Sequence, residues 1–261
     1  MCERARMARV LLFGATSAIA AECALLFAAR GDRMFLVGRD PQKLDDTVAR
    51  VRAVSADAVV GHEARDLAAI GSHDDGGHAA LVARARETLG GLDLALIAHG
   101  DLGDQLASEA RFDEAERIVR VNFTSVLSLV VPIANLLEEQ RAGALVVLTS
   151  VAGDRGRPRN YTYGAAKGAL GLYLQGVRSR LFSSGARVVN VKLGPVDTPM
   201  TTTHEKNALF AEKRAVAREI VRACDMHDGE IYVPAFWAGV MPVVRWLPES
   251  LFQRVRGLSG R

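Results

Sequence analysis

Tyr163 and Lys167 stand four residues apart in the segment Tyr161 to Phe182, whose Ala and Leu spacing predicts a helix. On a helix that spacing puts a phenol and an ammonium on one face, close enough for the cation to favour a phenolate. A free phenol titrates near about 10, too high for efficient proton transfer at neutral pH, so a fixed positive charge is what donation to a carbonyl or abstraction from an alcohol requires. Thirteen residues before Tyr163, Ser150 ends the apolar run Gly143 to Thr149, which predicts a buried strand. The set is therefore a hydroxyl leaving a strand and a phenol with its cation entering a helix. A Y-x-x-x-K pair arises by accident on many helices, so its meaning depends on the elements that would position it.

Those elements alternate along the chain. Apolar runs at Arg9 to Phe13, Met34 to Val37, Ala58 to His62, Leu92 to Ala98, Ala144 to Thr149, Arg187 to Leu193 and Glu230 to Val233 predict seven strands, with helix-period segments between them. The pattern implies a single doubly wound parallel sheet covered by helices on both faces, an α/β architecture over residues 8–233. The longest helix is expected from about Asp113 to Glu139, kinked but not stopped at Pro132.

The chain has 261 residues, 49% of them hydrophobic, and a formal net charge of +3, enough apolar content for one large core. Its charges are interspersed, which argues against nucleic acid as a partner. Cys2, Cys23 and Cys224 are odd in number and lack metal-site spacing, so reduced thiols and a cytosolic setting are expected. Residues 1–7 are read as a frayed extension. The cluster His73, Asp74, Asp75 and His78 carries metal-type side chains, but its place in a connection before a helix predicts a solvated loop and no metal.

Two stretches speak to a cofactor. The first strand ends in Gly14, followed by Thr16, Ser17, Ala18 and Ile19 at the start of a helix, where backbone N–H groups can hold a pyrophosphate. The second strand ends in Gly38 and Arg39. No carboxylate stands where one would grip a free ribose 2'-hydroxyl, and the arginine offers a planar fork to a 2'-phosphate, so NADP(H) is expected over NAD(H). Asp40 is the residue that could neutralise Arg39.

With these parts together the chain resembles the short-chain dehydrogenase/reductase family from Val10 to about Val233. The likeness rests on Gly14, Ser17 and Ile19 in the turn, Asp66-Leu67 at the adenine position, Asn122 in the long helix, Ser150 thirteen residues before Tyr163, and Gly194-Pro195-Val196-Asp197-Thr198 after the sixth strand. It implies that Tyr163 is the acid or base, that Lys167 lowers its pKa and holds the nicotinamide ribose, that Ser150 binds the substrate oxygen and that Asn122 supports a water-linked proton path. It further implies that Pro195 and Val196 pack on the nicotinamide ring while Thr198 meets the carboxamide. The rival Tyr161 lies six residues before Lys167. The enoyl-reducing branch places its tyrosine seven before, where this chain has Asn160, so carbonyl chemistry is expected.

The chain departs from the family pattern in three places. Ala18 and Ala20 replace glycines of the turn. Ala98-His99-Gly100 replaces Asn-Ala-Gly in a cofactor loop, where His99 is expected to be structural, with contact to the cofactor ribose as the alternative. Residues 234–261 continue past the last strand as an apolar and then basic extension. Its stripe of Trp237, Val240, Val244 and Leu247, with Arg245, Arg254 and Arg256 nearby, must be covered by the domain itself, as a lid, by a partner in a homo-oligomer, or by a membrane surface. Thirteen apolar residues, Ala235 to Leu247, are too few to span a bilayer, which takes about twenty. More loosely, AHGDLGDQ, VGRD and this tail resemble the keto-reductases that partner bacterial decaprenylphosphoryl-ribose epimerases, which would imply a lipid-linked keto-sugar at the inner face of the membrane. A soluble polyol or steroid-type dehydrogenase and a non-catalytic cofactor-binding regulator remain the alternatives.

Overall fold

The apolar runs pair into one parallel sheet of seven strands: β1 Arg9–Phe13, β2 Arg33–Gly38, β3 Val59–Ala64, β4 Leu94–Ile97, β5 Ala144–Ser150, β6 Arg187–Leu193 and β7 Gly229–Val233. Their order is β3-β2-β1-β4-β5-β6-β7, so the chain reverses its winding between β1 and β4. The computed structural model describes residues 7–70, 76–201, 209–226 and 228–254. The helices are α1 Ala18–Arg30, α2 Pro41–Val54, α3 Gly77–Leu89, α4 Gln105–Ala110, α5 Phe112–Val119, α6 Ser125–Gln140, α7 Tyr161–Leu181, α8 Lys213–Met226, α9 Trp237–Trp246 and α10 Glu249–Phe252.

Strand side chains alternate between two cores. Val10, Leu12, Leu94, Leu96, Val146 and Leu148 face α1, α2 and α8, whereas Leu11, Phe13, Ala95, Ile97, Leu145 and Val147 face α3, α6 and α7. Burial on both faces is why these strands read as continuous apolar runs with no polar alternation. Two expected strands, Arg9–Phe13 and Arg187–Leu193, coincide with the observed ones. Edge strand β3 runs two residues further than its apolar stretch, through Glu63 and Ala64, because backbone pairing to Val37 and Gly38 continues where the side chains turn polar. Sequence periodicity missed the short α4, which Asp104 caps by accepting from Ala107 N at 3.0 Å.

The long helix is real but interrupted elsewhere than expected. From Phe112 to Gln140 the run is helical for 29 residues and, by length and composition alone, apolar enough to cross a membrane. Val126, Leu129, Ile133 and Leu137 instead bury it in the core against the sheet. It passes through half-buried Pro132, and its irregularity is a π turn at Arg120–Thr124 that contains Asn122. Such turns often accompany functional positions.

The extension packs on its own domain. Trp237, Met241, Val244 and Phe252 form a third apolar cluster with Val151, the residue after Ser150. The expected stripe is thus partly corrected: Trp237 and Val244 are buried and Leu247 packs beside them, but Val240 faces outward and Met241 takes its place. The spacing of four and then three, 237–241–244, keeps the buried residues on one helical face. Arg155, in the loop after β5, closes the end of α9 by donating to the carbonyls of Val244 at 2.7 Å and Leu247 at 2.6 Å. Its guanidinium also pairs with Glu249 at 2.7 Å and lies 4.1 Å from the Phe252 ring centroid. Cys2, residues 1–6, His73, Asp74, Asp75 and Arg256 lie outside the described residues; Cys23 and Cys224 are buried free thiols.

Candidate active site

Strand ends converge at the point where the winding reverses, the position at which open α/β sheets bind ligands. After β1 the chain turns at Gly14 with φ of +75°, and Ser17 caps α1 by accepting from Ala20 N at 3.3 Å. A methyl group on Gly14 would meet His99 N at 2.6 Å, so the turns after β1 and β4 touch backbone to backbone. Gly38 is equally tight, since a Cβ there would meet Thr16 Cγ2 at 2.7 Å. This crowded rim gathers Gly14, Thr16, Ser17, Ala18 and Ile19 with Gly38 and Ala98-His99-Gly100, and it leaves the start of α1 free of an acidic residue. A dinucleotide pyrophosphate fits such a helix start.

After β3, Asp66 folds its own turn by accepting from Ala68 N at 3.0 Å, while Leu67 is buried in the core. Arg39 is exposed. Asp40 does not neutralise it, because that carboxylate caps α2 through Lys43 N at 3.2 Å and lies 4.0 Å from Lys43 Nζ. At the other end the Pro195-Val196 segment is stapled to the stretch before α8, with Ala211 N donating to Pro195 O and Asp197 N to Ala211 O, both at 3.0 Å. Val196 is buried, and Thr198 follows on the same loop.

Ser150, Tyr163, Lys167 and Asn122 come together across β5, α7 and the π turn. Ser150 Oγ donates to Leu193 O at 3.4 Å and accepts from Ala152 N at 3.1 Å, and its hydroxyl stands close enough to Tyr163 to act on the phenol's pKa. Lys167 is buried, donates from Nζ to Leu148 O at 3.2 Å, and lies 5.8 Å from the Tyr163 ring centroid. Asn122 holds the loop after β4: Nδ2 donates to Asp101 O at 2.6 Å and Ile118 O at 2.9 Å, and Oδ1 accepts from Asp101 N at 3.1 Å. Gly100 sits where any side chain would collide, since a Cβ would be 2.9 Å from Asn122 Oδ1 and 3.2 Å from Lys167 Nζ. Tyr161 is 45% exposed and stands apart from this group.

The electrostatics differ from the sequence expectation. Burial pushes the Tyr163 phenol up to about 12, with the Ser150 hydroxyl opposing and Asp101 adding to the rise. Burial also lowers Lys167 to about 8. The lysine does not by itself favour the phenolate here, because the same dry environment that would strengthen its field penalises both charges. A protonated phenol beside a serine hydroxyl is arranged to donate to a carbonyl oxygen.

Several supporting residues were not legible in advance. Gly153, Gly164 and Gly168 let the turn after Ser150 lie directly on α7: a Cβ on Gly153 would be 2.7 Å from Gly168 N, and one on Gly164 would be 2.7 Å from Ala152 O. Asp154 is fixed by Lys192 and by the Tyr232 hydroxyl, each at 2.7 Å, and Lys192 also pairs with Glu230 at 2.9 Å. Gln105 accepts from Thr162 N at 3.1 Å, anchoring the start of α7 to α4. His99 is tied to the domain through one ring nitrogen. Its Nε2 lies 2.8 Å from Ser125 Oγ, which itself donates to Val121 O, and burial lowers its pKa to about 3, so the ring is neutral and turned into the protein. His78 departs from the solvated-loop expectation: it is buried in the first turn of α3 with Nδ1 3.0 Å from Ser128 Oγ, because α3 packs on α6.

A parallel doubly wound sheet with a crowded glycine rim and a joined Ser-Tyr-Lys-Asn set defines a nicotinamide-dependent oxidoreductase. Residues 8–209 match the short chain dehydrogenase family, and the chain belongs to that family. It is 33% identical over 250 residues to an uncharacterized oxidoreductase of Mycobacterium tuberculosis, covering 95% of this chain and 97% of the relative. To an uncharacterized oxidoreductase of Streptomyces coelicolor it is 32% identical over 247 residues, covering 94% and 95%. Among solved structures it resembles levodione reductase, with a TM-score of 0.78, 21% identity and coverage of 90% of this chain and 99% of that one. A variant actinorhodin polyketide ketoreductase with NADPH gives 0.75, 20%, 90% and 98%. At these identities the structural matches show the fold.

Tyr163→Phe, which keeps the ring, should retain cofactor binding and lower turnover by about 100- to 10,000-fold, with Tyr161→Phe far milder; steady-state kinetics with fluorescence titration of the cofactor checks both. Lys167 carries its proton below about 8 and Tyr163 below about 12. Carbonyl reduction should therefore be high at acidic to neutral pH and fall as pH rises through about 8, as a pH profile of kcat/KM will read.

Proposed function

We propose that this protein uses NADP(H) to interconvert a ketone and a secondary alcohol, working as a reductase at neutral pH. The observation that carries the reading is the gathering of Ser150 and Tyr163 beside buried Lys167, whose Nζ lies 5.8 Å from the Tyr163 ring centroid. Bound nicotinamide supplies the hydride. Ser150 orients the carbonyl oxygen, Tyr163 donates the proton, Lys167 holds the nicotinamide ribose and Asn122 keeps the loop after β4 in place. A protonated phenol favours reduction over oxidation.

The cofactor preference rests on the end of β2. Gly38 admits no side chain, Arg39 is exposed, and Asp40 is committed to capping α2. A charge-assisted contact to a 2'-phosphate is worth about 1.5–3 kcal/mol. Arg39→Ala should weaken NADPH binding by on the order of tenfold or more and leave NADH nearly unchanged. Titration calorimetry showing equal losses would refute the assignment.

The extension favours a lipid-linked substrate, such as a keto-sugar carried on a lipid phosphate, met at a membrane surface. With its inner face already covered by the domain, the segment still exposes Phe236, Val240, Val243, Trp246 and Leu251, Trp246 being 88% exposed, beside Arg245 and Arg254. A soluble protein rarely leaves such a patch uncovered. Sedimentation with anionic vesicles should carry the protein down, and Val243→Glu with Trp246→Glu should abolish this without lowering Tm. If the double variant instead breaks a homo-oligomer and vesicles have no effect, a partner subunit covers the patch.

A further inference from the structure

The loop between the two reacting hydroxyls carries one carboxylate and three guanidinium groups, Asp154, Arg155, Arg157 and Arg159. Asp154 is engaged by Lys192 and Tyr232. Arg155 is spent on the end of α9, on Glu249 and on Phe252. Arg159 is exposed to water. Arg157 is the exception: it is half-buried, its guanidinium has no hydrogen-bond or ion-pair partner among the described residues, and its Nε is sealed from solvent without an acceptor. Burial pulls its pKa down, and Asp154, the one charge that offsets this, is already held by Lys192. Taking a cation out of water without giving it a counter-group costs free energy, and such groups concentrate where a ligand supplies what is missing.

Its place in the fold says which ligand. Arg157 follows Ser150 by seven residues and precedes Tyr163 by six. The loop is pinned before it by the contacts of Asp154 and Arg155, and after it by Asn160 N donating to Arg157 O at 3.1 Å. The cofactor's 2'-phosphate is not a candidate. That group belongs at the end of β2, which is separated from β5 by β1 and β4, about 14 Å across the sheet at the usual strand spacing. The end of β5 carries Ser150, beside which the substrate carbonyl must lie in the proposed reaction, and a planar guanidinium is shaped to take two oxygens of one oxyanion.

We propose that Arg157 is the recognition residue for an anionic group, a phosphate or a carboxylate, on the carbonyl substrate. This deepens the ketone-reductase reading and rests on it for the identity of the reacting group. The structure thereby selects ketones bearing a negative charge over neutral ones of the same shape.

Two measurements test it, one of them independent of turnover. Calorimetric titration of phenyl phosphate and of phenylacetate into the NADPH-saturated protein should show binding of at least one, weakened tenfold or more in Arg157→Met and partly kept in Arg157→Lys. Which anion binds tells phosphate from carboxylate. In paired assays, a charged ketone should lose tenfold or more in kcat/KM in Arg157→Met, mostly through KM, while its neutral ester or alcohol analogue changes less than about threefold and NADPH affinity holds. Binding that depends on Arg157 without reduction of any ketone would leave the anion site standing and remove the reductase reading. The proposal is overturned if neither anion binds, if both bind the Met variant as well as the wild type, or if charged and neutral ketones lose activity alike.

Discussion

The site depends on how closely α7 lies against the turn after β5. Gly153 meets the backbone of Lys167 and Gly168, and Gly164 meets the carbonyl of Ala152, at separations that a single methyl group would violate. Bare backbone on both sides is what brings the turn after Ser150, at the end of a strand, against the first turn of the helix that carries Tyr163. The remaining supports act on this contact from its margins. Gln105 fixes the start of the helix, Asp154 fixes the turn, and Asn122 with Gly100 closes the side toward β4.

Bringing these groups together in a dry place has an electrostatic cost that falls on both partners. The phenol is driven up and the ammonium down by the same loss of water. Proton affinity in the pair is therefore set by enclosure before it is set by their mutual attraction. His99 shows the same rule carried further, since the ring that replaces a smaller residue in the cofactor loop is kept neutral and tied to Ser125.

Much of this was legible from residue order. Strands buried on both faces announce themselves as unbroken apolar runs, so β1 and β6 could be bounded to the residue, and the spacing of Ser150, Tyr163 and Lys167 pointed to one site. What stayed hidden is what depends on partners distant in the chain. A π turn at Asn122 leaves no mark in hydrophobic periodicity, and α4 is too short to show one. The pairing of Asp154 with Lys192, 38 residues away, is invisible until β5 and β6 are adjacent. The sign of the Tyr163 shift was misjudged because helical spacing reports who is near, whereas burial depends on everything packed around.

Arg155 joins the catalytic loop to carbonyls 89 and 92 residues further along the chain, within the last fifteen or so residues the structure describes. A polypeptide made from its amino end can lay down the sheet, α7 and the cofactor rim while that guanidinium still lacks its acceptors. The loop between Ser150 and Tyr163 thus acquires this support only once α9 has been made, and a ribosome-bound chain missing α9 would carry Ser150, Tyr163 and Lys167 without that brace.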